Sequence, residues 1–198
     1  MKKIFIITSL LFSISNAELI TPQNGDRLNY RHVLFEWSQL PSVDAYNLQA
    51  SNQLNFNNLL LDIHEESTVY IDKDNFDWNG NYFWRVRPIL NIDSDEELAY
   101  GDWSNVSNFS IGGVLYYPLD VDIYEDQLIQ DGFVFIGGFG PDLESVAIDR
   151  FGNEIWNDGG FGFILNHVNE YGNIYGFGAE SFPLNSGMKG NMDMDVIW

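Results

Sequence analysis

The residues able to do acid–base or nucleophilic chemistry are few in this chain. There are three histidines, His32, His64 and His167, and no cysteine. A working imidazole needs a partner that sets its tautomer or takes its proton. His32 and His64 fall in the first half of the chain. His167 closes the apolar run Phe163-Ile164-Leu165-Asn166-His167, just before a turn. It is the one catalytic candidate, set against the ordinary role of a surface histidine on a strand. No Gly-x-Ser-x-Gly elbow or His-Glu-x-x-His pair occurs, and without cysteine there is no thiolate zinc site. Gly137-Gly138-Phe139-Gly140 and Gly176-Phe177-Gly178 lack the spacing and the following helix that phosphate cradling requires. No cofactor is expected.

Carboxylates are abundant: 29 acids against nine Lys and Arg, a formal charge of −20. Such a field repels nucleic acid and anionic membranes, so neither is an expected partner. Solubility in a salty medium explains it simply, and divalent-cation binding is the sharper alternative. Asp93-Ser94-Asp95-Glu96-Glu97 and Asp120-Val121-Asp122 are the acidic runs that bear on it. Neither has the glycine at the sixth position or the glutamate at the twelfth of a calcium loop. Asp93 and Asp95 are the best calcium ligands on offer, and a solvated loop is the plainer reading.

The first residues carry an export pattern. Lys2 and Lys3 precede an apolar stretch, Ile4 to Ile14, interrupted by Thr8, Ser9 and Ser13, and Ser15-Asn16-Ala17 then supplies small residues. That order marks residues 1–17 as a secretory signal peptide. The stretch is too short for the roughly 20 residues of a membrane span, and no later segment is apolar enough to span. A secreted, periplasmic or cell-surface protein is expected. Its stability must come from core burial, because it has no disulfide to lean on.

What could position functional groups is a set of short alternating runs. Val33, Phe35 and Trp37 alternate with Leu34 and Glu36; Tyr46, Leu48 and Ala50 alternate with Asn47 and Gln49. Tyr82, Trp84 and Val86 alternate with Phe83, Arg85 and Arg87. A period of two puts each set on one side of a sheet. Pro22-Gln23-Asn24-Gly25, Pro41-Ser42-Val43-Asp44 and Asn79-Gly80-Asn81 supply the turns. About seven strands in residues 18–111 fit an immunoglobulin-like sandwich.

The motifs Leu34-Phe35-Glu36-Trp37-Ser38, Ala45-Tyr46-Asn47-Leu48-Gln49, Tyr82-Phe83-Trp84-Arg85-Val86-Arg87 and Gly101-Asp102-Trp103-Ser104 resemble a bacterial fibronectin type III domain. The resemblance implies that Trp37 fills the core and that Tyr82 forms a tyrosine corner. Trp84 and Trp103 are expected in core and edge packing, with an exposed sugar-binding face as the alternative.

After Ile111-Gly112-Gly113 the chain becomes rich in glycine and aromatics. Phe151-Gly152-Asn153 and Tyr171-Gly172-Asn173 share a turn signature 20 residues apart, and Asp193 to Trp198 faintly echoes Asp149 to Trp156. Two hairpins make one four-stranded blade, so residues 112–198 read as about two blades of an incomplete β-propeller. The all-β expectation is therefore a sandwich followed by a propeller-like segment that ends mid-pattern, as a fragment would. Phe133, Phe135, Ile136, Ile148, Ile155, Trp156, Phe163, Ile164, Ile174 and Tyr175 are expected to stay only partly covered.

Glu144 to Asp149, Gly152 to Trp156 and Asn169 to Gly176, following such a module, resemble the start of secreted bacterial arylsulfotransferase-type proteins. The resemblance implies a propeller that moves a sulfuryl group between aryl sulfates and phenols on histidines. This chain has too few histidines and cations for that site, so the parent is expected to be the enzyme and this piece to be inactive. The alternative is a secreted binding or adhesion protein that presents its sandwich to a glycan or a cell-surface protein.

Overall fold

A computed structural model describes residues 16–90, 97–115, 125–128, 132–138, 145–178 and 187–195. Asp93 and Asp95, residues 1–15, and Trp198 lie outside them. The described residues are all-β, apart from one short 3-10 turn at Asp126–Leu128. They form several separate small sheets and no closed barrel.

The described residues of the first half form eight strands: β1 (Leu19–Thr21), β2 (Asp26–Leu28), β3 (Val33–Trp37), β4 (Ala45–Ser51), β5 (Leu59–Glu65), β6 (Val69–Asp72), β7 (Asn81–Ile89) and β8 (Ser107–Ile111). One sheet runs β1-β3-β6 and the other β2-β8-β7-β4-β5. The turn at Pro22 to Gly25 divides the first run into β1 and β2, one in each sheet. Asp26 accepts the Gln23 amide at 2.6 Å there, and Gly25 supplies a φ of 92°. Inward residues of both sheets meet in one core: Val33, Phe35 and Trp37 face Tyr46, Leu48, Ala50, Tyr82, Trp84 and Val86. The Phe35 ring lies 5.1 Å from Trp84 and the Trp37 ring 5.6 Å from Tyr46, both edge to face. Trp37 is buried, as is Trp84, whose indole donates to the Pro22 carbonyl at 3.1 Å. Trp84 is thus part of the core and has no sugar-binding face to offer. The Tyr82 hydroxyl donates to the Asp77 carbonyl at 3.0 Å and accepts the Asp77 amide at 2.9 Å, five residues upstream.

The described residues of the second half form six strands: β9 (Val134–Gly137), β10 (Ser145–Ile148), β11 (Glu154–Asn157), β12 (Phe163–Val168), β13 (Ile174–Gly178) and β14 (Gly187–Gly190). They form two antiparallel sheets, β9-β10-β11 and β12-β13-β14. This departs from the expectation that both repeated hairpins share one sheet: β10/β11 and β12/β13 sit in different sheets. The cause is the connection Asn157 to Gly162. Gly159, Gly160 and Gly162 all take positive φ there, and buried Asp158 accepts the amides of Gly160 and Phe163. That loop lifts the chain off the first sheet and lays β12 across its face. Ser145 of β10 then bonds the backbone of Phe163 and Leu165 on β12. Gly137 lies so close to the Leu165 carbonyl that a Cβ would fall 1.9 Å from it.

The two sheets bury Ala147, Ile155, Trp156, Phe163, Leu165, Ile174 and Met188 in a second core. The expected partly covered set is corrected accordingly. Ile148, Ile155, Trp156, Phe163 and Ile174 are buried, whereas Phe133 is exposed and Phe135, Ile136, Ile164 and Tyr175 are half-buried.

Among the described residues the turn signature occurs a third time. Asp149 to Asn153, Asn169 to Asn173 and Asn191 to Asp195 are the same five-residue turn. In each, the first residue's amide donates to the fifth residue's carbonyl, and the fourth residue's amide to the first residue's carbonyl. The first side chain accepts the fifth amide at 2.9, 2.9 and 2.8 Å. The fourth position takes φ of 84° at Gly152, 74° at Gly172 and 65° at Met194. The third repeat therefore starts at Asn191, two residues before the echo read from Asp193.

Candidate binding cleft

The halves are joined by backbone. Tyr30 bridges Trp156 in antiparallel register, flanked by Arg31 N–H to Ile155 C=O and Asn157 N–H to Asn29 C=O, both 3.0 Å. Side chains reinforce the seam. The Trp78 indole donates to the Glu154 carbonyl at 3.1 Å, and the Asn157 amide donates to the Gly113 carbonyl at 3.0 Å. Gly112, read as a boundary, donates to the Leu28 carbonyl at 2.9 Å. The segment between the halves is thus held on both sides.

Beside this seam lies a cavity of about 380 Å³. One wall is Tyr30, His32 and Leu34, which lead into β3. The strand's alternation points Val33 and Phe35 into the sandwich core and leaves Leu34 on the outer face. The facing wall is Phe133, Phe135, Ala147, Ile155 and Trp156, and the rim is formed by the second and third repeat turns, Tyr171-Gly172 and Asn191 to Asp193. The rings meet edge to face: Phe133 with Phe135 at 5.4 Å, Phe135 with Trp156 at 6.0 Å, and His32 with Phe133 at 6.1 Å. The Trp156 indole donates to the Met192 carbonyl at 2.7 Å, which locks the third turn against this wall.

Polar groups enter at one corner. Tyr30 and Asp193 both line the cleft at this corner. Burial raises the Tyr30 pKa well above its ordinary value, and Asp193, Asp26 and Asp195 add to the shift. Burial also raises the Asp193 carboxyl; the Tyr30 hydrogen bond opposes this, and Asp195 and Asp26 push it further up. Burial, followed by the charges of Lys73 and Arg31, lowers the His32 pKa against the opposing pull of Asp74 and Asp149, which favours the neutral ring at pH 7. Behind Tyr30 and Asp193 lies a second, polar hollow lined also by Asp26, Arg27 and Asp195.

Comparison with protein-family models, curated proteins and solved structures gives no match. The site must be read from its own chemistry.

His167 is not part of the cleft. It is exposed on β12, with its ring 5.8 Å from Tyr175, over which the Lys189 ammonium also lies. The three histidines are on separate surfaces, because His64 stands on β5 with its Nε2 3.1 Å from the Tyr100 hydroxyl. No grouping of three or more His, Asp or Glu suited to a metal ion occurs among the described residues.

The other ordered polar array is on the outer face of the five-stranded sheet. Arg85 stacks on Phe56 and Trp103, each at 4.0 Å, and Arg87 on Tyr100 at 3.7 Å and Trp103 at 4.2 Å. Gln49 accepts from Arg85, and Asn47 accepts from Arg87. These side chains satisfy one another, so Trp103 is engaged in edge packing. This is the arrangement the alternating Phe83-Arg85-Arg87 face requires once the sheet is two-sided.

Sequence reasoning missed Tyr30, Phe135, Trp156 and Asp193 as a group. The five-residue spacing of Asn191 to Asp195, matching the two earlier turns, is the signal that could have located Asp193. The Tyr30–Trp156 pairing spans 126 positions and leaves no local mark.

Proposed function

We propose that this chain is a secreted modular binding protein that takes its ligand in the cleft between its two halves. The observation that carries the reading is the aromatic cavity at a hydrogen-bonded seam, with its polar groups gathered at one corner. Pockets of this kind, mostly apolar with a few convergent polar groups, are the usual form of a ligand site between structural units. The order of charged, apolar and small residues in 1–17 supports export.

In this reading the first half is a fibronectin type III-like module. The β1-β3-β6 sheet facing the β5-β4-β7-β8 sheet, the buried Trp37 and the Tyr82–Asp77 bonds are what support it. The second half is propeller-like, and the turn repeated three times supports that. The same repeat keeps a second reading in view, that the chain belongs to an arylsulfotransferase-type parent. A sulfate ester suits this cleft poorly, since Asp193, Asp26 and Asp195 repel an anion. A glycan ring, an organic head group or a side chain of a cell-surface protein suits it better.

The test is tryptophan fluorescence of the mature chain against panels of oligosaccharides, organic ammonium salts and aryl sulfates, repeated with Phe135→Leu. Saturable binding that the substitution weakens is the expected result. Failure of every class, or binding indifferent to Phe135, contradicts the reading. Turnover of nitrophenyl sulfate would favour the sulfotransferase reading instead.

A further inference from the structure

We propose that the ligand of the cleft is a small organic ammonium ion, its alkyl surface packed on Phe133, Phe135 and Trp156 and its charge answered by Asp193. The inference rests on the cleft being a binding site, and goes on to say what chemistry it selects.

The walls supply half of the argument. Three rings in edge-to-face contact, with Tyr30 and Tyr171 at the margins, line a cavity that a head group of a few carbons would fill. Aromatic faces carry negative potential and attract alkylated ammonium groups, whose charge is spread over methyl surface and is weakly hydrated. A metal ion has no use for such walls, because it needs several oxygen or nitrogen donors.

The corner supplies the other half. Asp193 reaches the cleft beside Tyr30, and Asp26 and Asp195 stand behind it, three carboxylates around one phenol. No ion pair of these three with a cation of the chain is formed among the described residues. Arg27 lines the same polar hollow without pairing with any of the three, and His32, the titratable group of the opposite wall, is held towards its neutral form. An anionic ligand is repelled by this corner. A neutral ligand leaves the like charges of Asp26, Asp193 and Asp195 unrelieved. An ammonium ion satisfies both parts of the site at once, apolar surface against rings and charge against carboxylate.

The repeat gives this corner a further peculiarity. The third turn position carries exposed aromatics in the first two repeats, Phe151 and Tyr171, and in the third it carries Asp193. The next residue is Met194, held at φ 65° where the other turns have glycine. The turn that breaks the pattern is the one whose third residue, Asp193, faces Tyr30.

The experiment is calorimetric titration of the full mature chain with choline and with its uncharged carbon analogue, in which a tert-butyl group replaces the trimethylammonium. Choline should bind saturably, and the analogue about tenfold more weakly, the difference expected of one cation–π and carboxylate contact. Asp193→Asn should bring choline down to the affinity of the analogue and leave the analogue unchanged. Phe135→Leu should weaken both. An analogue that binds as tightly as choline, or choline binding unmoved by Asp193→Asn, overturns the ammonium assignment while leaving the cleft a binding site. If neither compound binds, the assignment is also wrong, and the oligosaccharide panel then decides whether the cleft binds anything.

Discussion

The backbone of Tyr30 pairs with that of Trp156 across an antiparallel bridge, so an irregular segment of the sandwich half covers the free edge of β11. An uncovered edge presents unpaired N–H and C=O groups to any passing strand. Here Arg31 and Asn157 donate across the seam, and the same contact sets the two walls of the cleft at a fixed spacing. Edge protection and the spacing of the cleft walls are one feature of the fold.

Trp37 tests the sandwich core. It is buried among Tyr46 and its neighbours, but its indole N–H finds no partner among the described residues. Trp37→Ala should cost about 3–5 kcal/mol by opening a cavity. Trp37→Phe should cost about 1 kcal/mol or less, because removing an unsatisfied donor offsets part of the lost volume. Urea denaturation of both variants checks this, and equal losses would contradict it.

Two glycines separate conformational from steric demands. A Cβ on Gly172 would meet nothing within 4 Å, so Gly172→Ala should cost only the left-handed φ of 74°, about 1–2 kcal/mol. Gly137→Ala should cost more than about 3 kcal/mol, since the Leu165 carbonyl cannot move without parting the two sheets. Thermal denaturation should rank them in that order.

Asp149 and Asp193 should act in opposite directions. Burial raises the Asp149 pKa, but hydrogen bonds from the Asn153 side chain and the Asn153 and Phe151 amides outweigh it and hold the pKa below its ordinary value. Its stabilising contribution is therefore present above the unfolded carboxylate value near 3.9 and lost as pH falls through the depressed folded value. Asp193 is raised, chiefly by burial, so the fold favours its protonated form. Its stabilising contribution is present below the unfolded value and lost as pH rises through the raised folded value, leaving a penalty at pH 7. At pH 7, Asp149→Ala should lower the denaturation midpoint and Asp193→Asn should raise it. At a pH below both folded values the Asp193→Asn gain should vanish. Shifts of the same sign at pH 7 would contradict the assignment.

Local chemistry was legible in the sequence, and long-range pairing was not. The alternation of Tyr82, Trp84 and Val86 against Phe83, Arg85 and Arg87 reveals which face of β7 is buried, because a period of two needs only neighbours. Gly152 and Gly172 mark their turns because only glycine takes that φ at no steric cost. The third turn was hidden by Met194, which pays that cost. The separation of the two hairpins into different sheets depends on Asn157 to Gly162 and on Ser145 meeting Phe163, and periodicity carries no trace of either. The cleft was invisible for the same reason: its walls come from residues as far apart as Tyr30 to Leu34, Phe133 and Phe135, Ile155 and Trp156, Tyr171, and Asn191 to Asp193.

The central claim is that the two halves form one unit through the seam at Tyr30 and Trp156. Hydrogen exchange of the Arg31 and Asn157 amides in the intact chain tests it directly. The account predicts that both exchange as slowly as the amides of β4 and β7 in the sandwich core. Rapid exchange at Arg31 and Asn157, with β4, β7, β10 and β12 still protected, would show two independent halves and no fixed cleft between them.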